Sequence, residues 1–196
     1  MSDLISTAAV LEASGGRAQA ISGLSHLTLM DAICAPATTC VCAPGDNLAL
    51  HRLLQQAPEG AALVVGAGGR TDVGYFGELM AMDAEGRGLQ GLVIDGSIRD
   101  GGLIAVLGFP VFHAGFAPAT SVKELAPSVG EPVEVDGVTV APGDQIIADS
   151  DAVLVVPAAD GSAVEAAARE IQSYEDDVRT HLLRDGRLAD LLELPE

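Results

Sequence analysis

Short, wholly apolar runs alternate with amphipathic stretches through most of this chain. Residues 37–42, with Thr38, Thr39 and Val41, favour an extended backbone. Pro44-Gly45 turns the chain, and Asp46 or Asn47 then caps a helix running to about Gln56. Leu48, Leu50, Leu53 and Leu54 form the apolar stripe of that helix. The compact run 61–65 reads as a strand covered on both faces. A glycine-rich loop over 66–74, a helix over 77–85 and a strand over 92–94 follow. A short helix over 103–107 is stopped by Gly108-Phe109-Pro110, and 111–114 is the next strand. This strand-helix-strand order predicts parallel strands joined by right-handed crossovers.

The carboxyl half has a different pattern. Val133-Glu134-Val135 and Val138-Thr139-Val140 flank Asp136-Gly137, a strong signal for a two-residue hairpin. Strands over 145–148 and 152–156 follow, and this half reads as an antiparallel layer beside the α/β part. From Gly161 to about Leu183 the chain is helical, with acidic and basic side chains alternating toward its end. The organisation expected is one domain over 1–160, carrying the site, and a helical tail over 161–196 that suits a subunit contact. Residues 1–20 read as a short helix and loop broken at Gly15-Gly16.

Composition narrows the functional classes. The 196 residues carry a net charge of -18, which argues against a nucleic-acid backbone or an anionic membrane surface as partner. An anionic substrate would need local cations. Aromatic residues are 3% of the chain and Trp is absent, so aliphatic side chains must fill the core. Cys34, Cys40 and Cys42 are an odd set without metal-pair spacing and read as buried thiols in a reducing, cytoplasmic compartment. Met1-Ser2-Asp3-Leu4 does not begin an export signal, and no apolar run approaches the ~20 residues that span a bilayer.

Candidate chemistry centres on Glu78 and the pair Arg99-Asp100. One strand-helix-strand unit separates them, placing Glu78 at a helix start and Arg99-Asp100 just past a strand's carboxyl end. The free amides after Gly77 make an anion site, with Glu78 as a dipole-complementing residue as the plain alternative. Arg99 suits a carboxylate or developing oxygen charge. Asp100 suits Mg²⁺ or Mn²⁺. The plain alternative is an ion pair capping a helix. His26, His51, His113 and His181 have no paired spacing and read as structural. Gly66-Ala67-Gly68-Gly69 lacks a full nucleotide fingerprint.

At these residues the chain resembles the class II pyruvate aldolases of 4-hydroxy-4-methyl-2-oxoglutarate and 4-carboxy-4-hydroxy-2-oxoadipate. Their superfamily also holds the regulator of ribonuclease activity A. The resemblance spans about residues 36–157 and rests on Gly45-Asp46-Asn47-Leu48-Ala49, Gly77-Glu78-Leu79-Met80-Ala81, Gly91 to Asp100, Gly108-Phe109-Pro110-Val111-Phe112 and Pro142-Gly143-Asp144. It implies a layered α/β/β swivelling domain with a mixed sheet. It also implies a metal-dependent lyase that cleaves a 4-hydroxy-2-oxo acid to pyruvate through an enolate, with oxaloacetate decarboxylation as a side activity. In that scheme the backbone of Gly77, Glu78, Leu79 and Met80 binds the substrate carboxylate, Arg99 binds substrate and steadies the enolate, and Asp100 ligates Mg²⁺ or Mn²⁺. Glu78 and a neighbouring subunit's Glu175 order water near the ion. Homotrimers or hexamers with sites between subunits follow from the same resemblance. The family's aldolases carry Asp where this chain has Glu78, and the region before Ala37 is atypical. A non-catalytic binding protein and a lyase or hydratase of a different acid are the alternatives.

Overall fold

The structure is a computed structural model describing residues 5–184 and 186–191. In chain order its elements are α1 (Thr7–Ser14), β1 (Gln19–Ile21), β2 (Ser25–His26), β3 (Ile33–Val41), α2 (Leu48–Gln56), β4 (Ala62–Gly66), β5 (Gly74–Phe76), α3 (Glu78–Gly86), β6 (Gly91–Ile98), α4 (Gly101–Leu107), β7 (Val111–Phe116), β8 (Ser128–Val129), β9 (Val133–Val135), β10 (Val138–Val140), β11 (Gln145–Ala148), β12 (Val153–Val156) and α5 (Gly161–Leu182). The predicted α/β class and parallel core are present. Strands β3, β4, β6 and β7 lie side by side and parallel, and β5 pairs in parallel with the end of β6.

Side-chain alternation divides the core into two layers across this sheet. Leu63 and Val65 of β4 and Leu92 and Ile94 of β6 meet Leu50, Leu53 and Leu54 of α2, Ala81 and Ala84 of α3, and Ile104 of α4. Their neighbours Ala62, Val64 and Val93 turn the other way, against Val133, Val135 and Val140 of the β9–β10 hairpin. Every residue of β4 and β6 is therefore buried. The hairpin turn uses Asp136 and Gly137 in left-handed conformations (φ 48° and 80°), as its sequence predicts.

The carboxyl half departs from expectation. Among the described residues only β9 and β10 form a separate sheet; β11 and β12 extend the main one, which runs β1-β12-β11-β3-β4-β6-β7-β2. The reason is burial on both faces of β12. Val153 and Val155 join the hairpin-side core, while Leu154 and Val156 join a third cluster with Ala9 and Val10 of α1 and Val164 and Ala168 of α5. Asp149 ties α1 to this edge by accepting from Thr7 N (2.9 Å) and Thr7 Oγ1 (2.7 Å). The first half of α5 is thus part of the core, and a 3-10 turn at Leu188–Asp190 follows it. Residues 192–196 of the expected tail, and the Met1–Leu4 stretch, lie outside the described residues. Cys40 and Cys42 are buried as expected, whereas Cys34 is exposed.

Asp46 joins α2 to a distant segment. Its carboxylate accepts from the amides of Leu48 (2.9 Å), Glu124 (2.7 Å) and Leu125 (2.8 Å). Asn47 occupies the cap position without a capping side-chain bond. Burial alone would raise the pKa of Asp46, but these three amides hold it below the ordinary carboxylate range. This stabilisation is therefore full above an ordinary Asp pKa of about 4 and fades as pH falls through the lower folded value. Asp46→Ala leaves three donors unpaired and should cost about 3–5 kcal/mol. Urea unfolding followed by circular dichroism at pH 7 measures this loss, and the gap between variant and wild type should narrow in acid.

Candidate active site

The parallel strands place their carboxyl ends on one edge, and the loops leaving β3, β5, β6 and β7 meet there in a cleft of about 240 Å³. Glu78, Leu79 and Met80, with Gly77, form one wall, and Arg99 and Asp100 form the floor beside it. The residues singled out in the sequence are therefore brought together, apart from Glu175. That residue lies on α5, paired with Arg179 at 2.9 Å, and does not line the cleft of its own chain.

Gly77 explains how the pieces fit so closely. A Cβ there would stand 3.0 Å from Asp100 Oδ2 and 3.1 Å from Arg99 Nε. At Gly74 a Cβ would stand 2.9 Å from both Arg99 Cβ and the Ala117 carbonyl oxygen. The two glycines let the Arg99 side chain lie across β5 to the start of α3. The Met80 and Ala81 amides already donate to the Gly77 carbonyl (3.0 and 3.1 Å). The Met80 amide is thus taken, and those of Gly77, Glu78 and Leu79 remain at this helix start, narrower by Met80 than the Gly77–Met80 set the sequence suggests. The Leu79 side chain points out and is 73% exposed.

Arg99 is held at both ends of its guanidinium. Nε donates to Asp100 Oδ2 (3.1 Å) and Nη1 donates to Thr120 Oγ1 (3.0 Å). Its backbone amide donates to Phe76 O (2.9 Å), locking the β6 exit against β5. Asp100 sits in the left-handed region at φ 57°, a conformation costing a non-glycine residue about 1 kcal/mol. It does stand at the cap position of α4, where its carbonyl accepts from Leu103 N and Ile104 N, but its carboxylate makes no capping bond. The helix-capping alternative therefore does not describe the Asp100 side chain. A half-exposed ion pair such as Arg99–Asp100 adds little stability, of order 0–1 kcal/mol. Stability alone does not explain the strained backbone.

The opposite wall was not anticipated. Asn47, the cap residue of α2, and His51, one turn further on, face the cleft together with Lys123 and Thr120. Lys123 is the only lysine in the sequence. In a chain of charge -18, the cleft thus collects Arg99 and Lys123 within one cavity. Asn47 Nδ2 donates to the Tyr75 carbonyl (2.8 Å), while Asn47 Oδ1 and His51 Nε2 are enclosed without partners. Burial, and then the charge of Lys123, push the His51 pKa down, against a smaller opposing effect of Asp83, so the ring is neutral at pH 7. His113, on β7, is 1% exposed and does not line the cleft. The cue for Lys123 was its singularity in an acidic chain; its place came from the long-range bonds of Asp46.

A divalent ion would find few protein ligands among these groups. Among the described residues no cluster of three or more His, Cys, Asp or Glu side chains could form a protein cage for a metal. The donors on offer are the Asp100 carboxylate, with Oδ1 outside its bond to Arg99, and Glu78 at the rim. That set fits Mg²⁺ or Mn²⁺, which keep several waters and take remaining ligands from substrate. No described helix is long and apolar enough to cross a membrane.

The chain is similar to several known proteins. A protein of Halalkalibacterium halodurans, provisionally named 4-hydroxy-4-methyl-2-oxoglutarate aldolase, is 31% identical over 94% of this chain and 88% of its own. The solved structure of RraAS2 from Streptomyces coelicolor, titled an unusual member of the RNase ES inhibitor RraA protein family, is 29% identical, with a TM-score of 0.78 over 89% of this chain and 91% of that one. The RNA-processing inhibitor RraA from Thermus is 25% identical, with a TM-score of 0.69 over 75% and 90% of the two chains. A family model described as Aldolase/RraA, RraA-like, matches residues 3–155, and the chain belongs to that family.

Proposed function

We propose that this protein is a divalent-metal-dependent carbon-carbon lyase that cleaves a 4-hydroxy-2-oxo acid to release pyruvate. The observation that carries this reading is the convergence of Arg99, Asp100 and the free amides of Glu78 and Leu79 on one cleft. The substrate's 2-oxo carboxylate is placed on those amides, where unpartnered N–H groups and the helix dipole favour an anion. Asp100 would hold Mg²⁺ or Mn²⁺, which supplies Lewis-acid polarisation of the 2-oxo group when bound. Arg99, oriented by Thr120 and Asp100, meets the negative charge that builds on the substrate oxygen as the carbon-carbon bond breaks. Glu78 at the rim is the nearby carboxylate that orients water to take the hydroxyl proton. Its longer arm reaches the role the family's aspartate plays.

Lys123, with Asn47 and His51, suits the far carboxylate of a substrate charged at both ends. Oxaloacetate fits the same cleft, and its decarboxylation needs the same enolate. A second cleft of about 450 Å³ lies on the other side of Arg99 and Asp100, against Phe116, Ala117 and Pro118. Phe116, which lines it, is 61% exposed, and Leu103 and Val106 of α4 are exposed at 57% and 88%. We propose that a second copy packs here in a trimer or pair of trimers. Glu175 would act at a neighbour's site in such an assembly.

A coupled assay for pyruvate from oxaloacetate and from 4-hydroxy-4-methyl-2-oxoglutarate tests the reading. Product should form with Mg²⁺ or Mn²⁺ and stop with chelator. A metal-independent rate, or none, would reject the lyase. The absence of any product would favour the second reading, a binding protein acting through its surface. That reading draws support from the likeness to solved structures titled as RNase ES and RNA-processing inhibitors.

A further inference from the structure

Asp95 stands on β6 four residues before Arg99 and is 7% exposed. Its carboxylate accepts from the amide of Ala67 through Oδ1 and from that of Gly69 through Oδ2 at 3.2 Å. Backbone groups of Gly68 and Asp136 also favour its charge. No cation is among its hydrogen-bond partners. Burial nevertheless dominates and pushes its pKa above the ordinary carboxylate range. The fold therefore keeps an acid where ionisation is disfavoured, and grips it with main-chain donors.

Those donors belong to the glycine-rich loop between β4 and β5. Gly68 and Gly69 are both left-handed (φ 67° and 70°), which turns successive amides toward one acceptor. The loop is pressed onto β6 close by: a Cβ at Gly96 would lie 2.7 Å from Ala67 Cβ and 3.2 Å from Tyr75 Cδ2. The Arg70 carbonyl then accepts from Ser97 N (3.1 Å), and Gly74 and Phe76 pair with Ser97 and Ile98. The loop thus leads directly into the two glycines that flank the Arg99 side chain.

We infer that Asp95 is a positioning residue: by holding the Ala67–Gly69 amides it fixes the loop, and through β5 it sets the Gly74 and Gly77 wall against which Arg99 is oriented. It does not line the cleft and acts only through Arg99. The inference rests on the reading of that cleft as the reacting site.

The test uses the full chain and the variant Asp95→Asn, whose amide nitrogen cannot accept one of the loop amides. For oxaloacetate with Mn²⁺, kcat should fall about tenfold or more while KM stays within about twofold, the split expected when orientation is lost and binding is not. Hydrogen exchange across residues 67–77 should quicken about tenfold in the same variant, with β4 unchanged. Wild-type kcat in the variant, or unchanged exchange at residues 74–77, overturns the inference. If Asp95→Asn fails to fold, native-state exchange of the wild type decides instead. The amides of Ala67 and Gly69 should open in the same step as those of residues 74–77; separate opening overturns it. Should the wild type yield no pyruvate, the lyase reading falls, while the exchange measurements still decide whether Asp95 sets the β5 wall.

Discussion

Arg99→Ala should lower turnover about a hundredfold or more, equivalent to about 2.7–4 kcal/mol of the barrier, because it removes a preorganised donor aimed at developing charge. The structure gives this number its basis. The guanidinium is fixed by Thr120 and Asp100 and backed by Gly74 and Gly77, where a Cβ would crowd the Arg99 side chain at 2.9–3.1 Å. Arg99→Lys should recover little. An ammonium cannot reach both Thr120 Oγ1 and Asp100 Oδ2 with the planar fork that Arg99 presents. Steady-state kinetics with oxaloacetate would show the fall chiefly in kcat. Retained turnover in Arg99→Ala would remove Arg99 from the chemistry. The fold should survive the change, since a half-exposed ion pair is the main interaction lost.

Asp100→Asn should abolish the metal-dependent rate. Titration of Mn²⁺ followed by electron paramagnetic resonance should show affinity falling about a hundredfold or more, the upper end of what disturbing even a supporting partner of a ligand costs. The amide keeps the shape and the left-handed backbone, which Asn tolerates as well as Asp. The variant thus separates charge from geometry. Unchanged Mn²⁺ affinity would mean that the ion is held elsewhere, or that the cleft does not use one. Asp100 is well placed for this comparison because its carboxylate has no capping duty to lose.

These expectations differ in how far they were legible beforehand. The parallel core was readable because β4 and β6 are covered on both faces and so are almost continuously apolar, while α2 shows a clean stripe. Glu78 and Arg99-Asp100 could be placed because each sits at the end of such an element. The short strands β1, β2, β5 and β8 were not readable: two or three residues carry no period, and their pairing is decided by distant partners. β11 and β12 were assigned to the wrong layer because an apolar run does not say which sheet edge it joins. The second wall of the cleft was hidden for a related reason. Lys123 lies in irregular chain, and its position depends on Asp46 bonding amides 78 and 79 residues away. His51 was read as structural because helical spacing shows a face but not what that face meets.

Glu78 and Glu175 illustrate two different limits. Glu78 occupies the expected helix start and lines the cleft. Glu175 is a neighbour's contribution by resemblance alone; in its own chain it pairs with Arg179 on a helix packed against α1. Its proposed role belongs to the assembly and depends on copies meeting near Phe116.

The central claim is that one cleft binds a divalent ion and a 2-oxo acid together, through Asp100, Arg99 and the amides before Met80. A crystal soaked with Mn²⁺ and pyruvate tests it most directly, using the anomalous signal of manganese. The account predicts a manganese peak against the Asp100 carboxylate, pyruvate's carboxylate on the Glu78 and Leu79 amides, and its carbonyl oxygen facing Arg99. Manganese bound away from Asp100, or pyruvate absent from the cleft at saturating concentration, would contradict it.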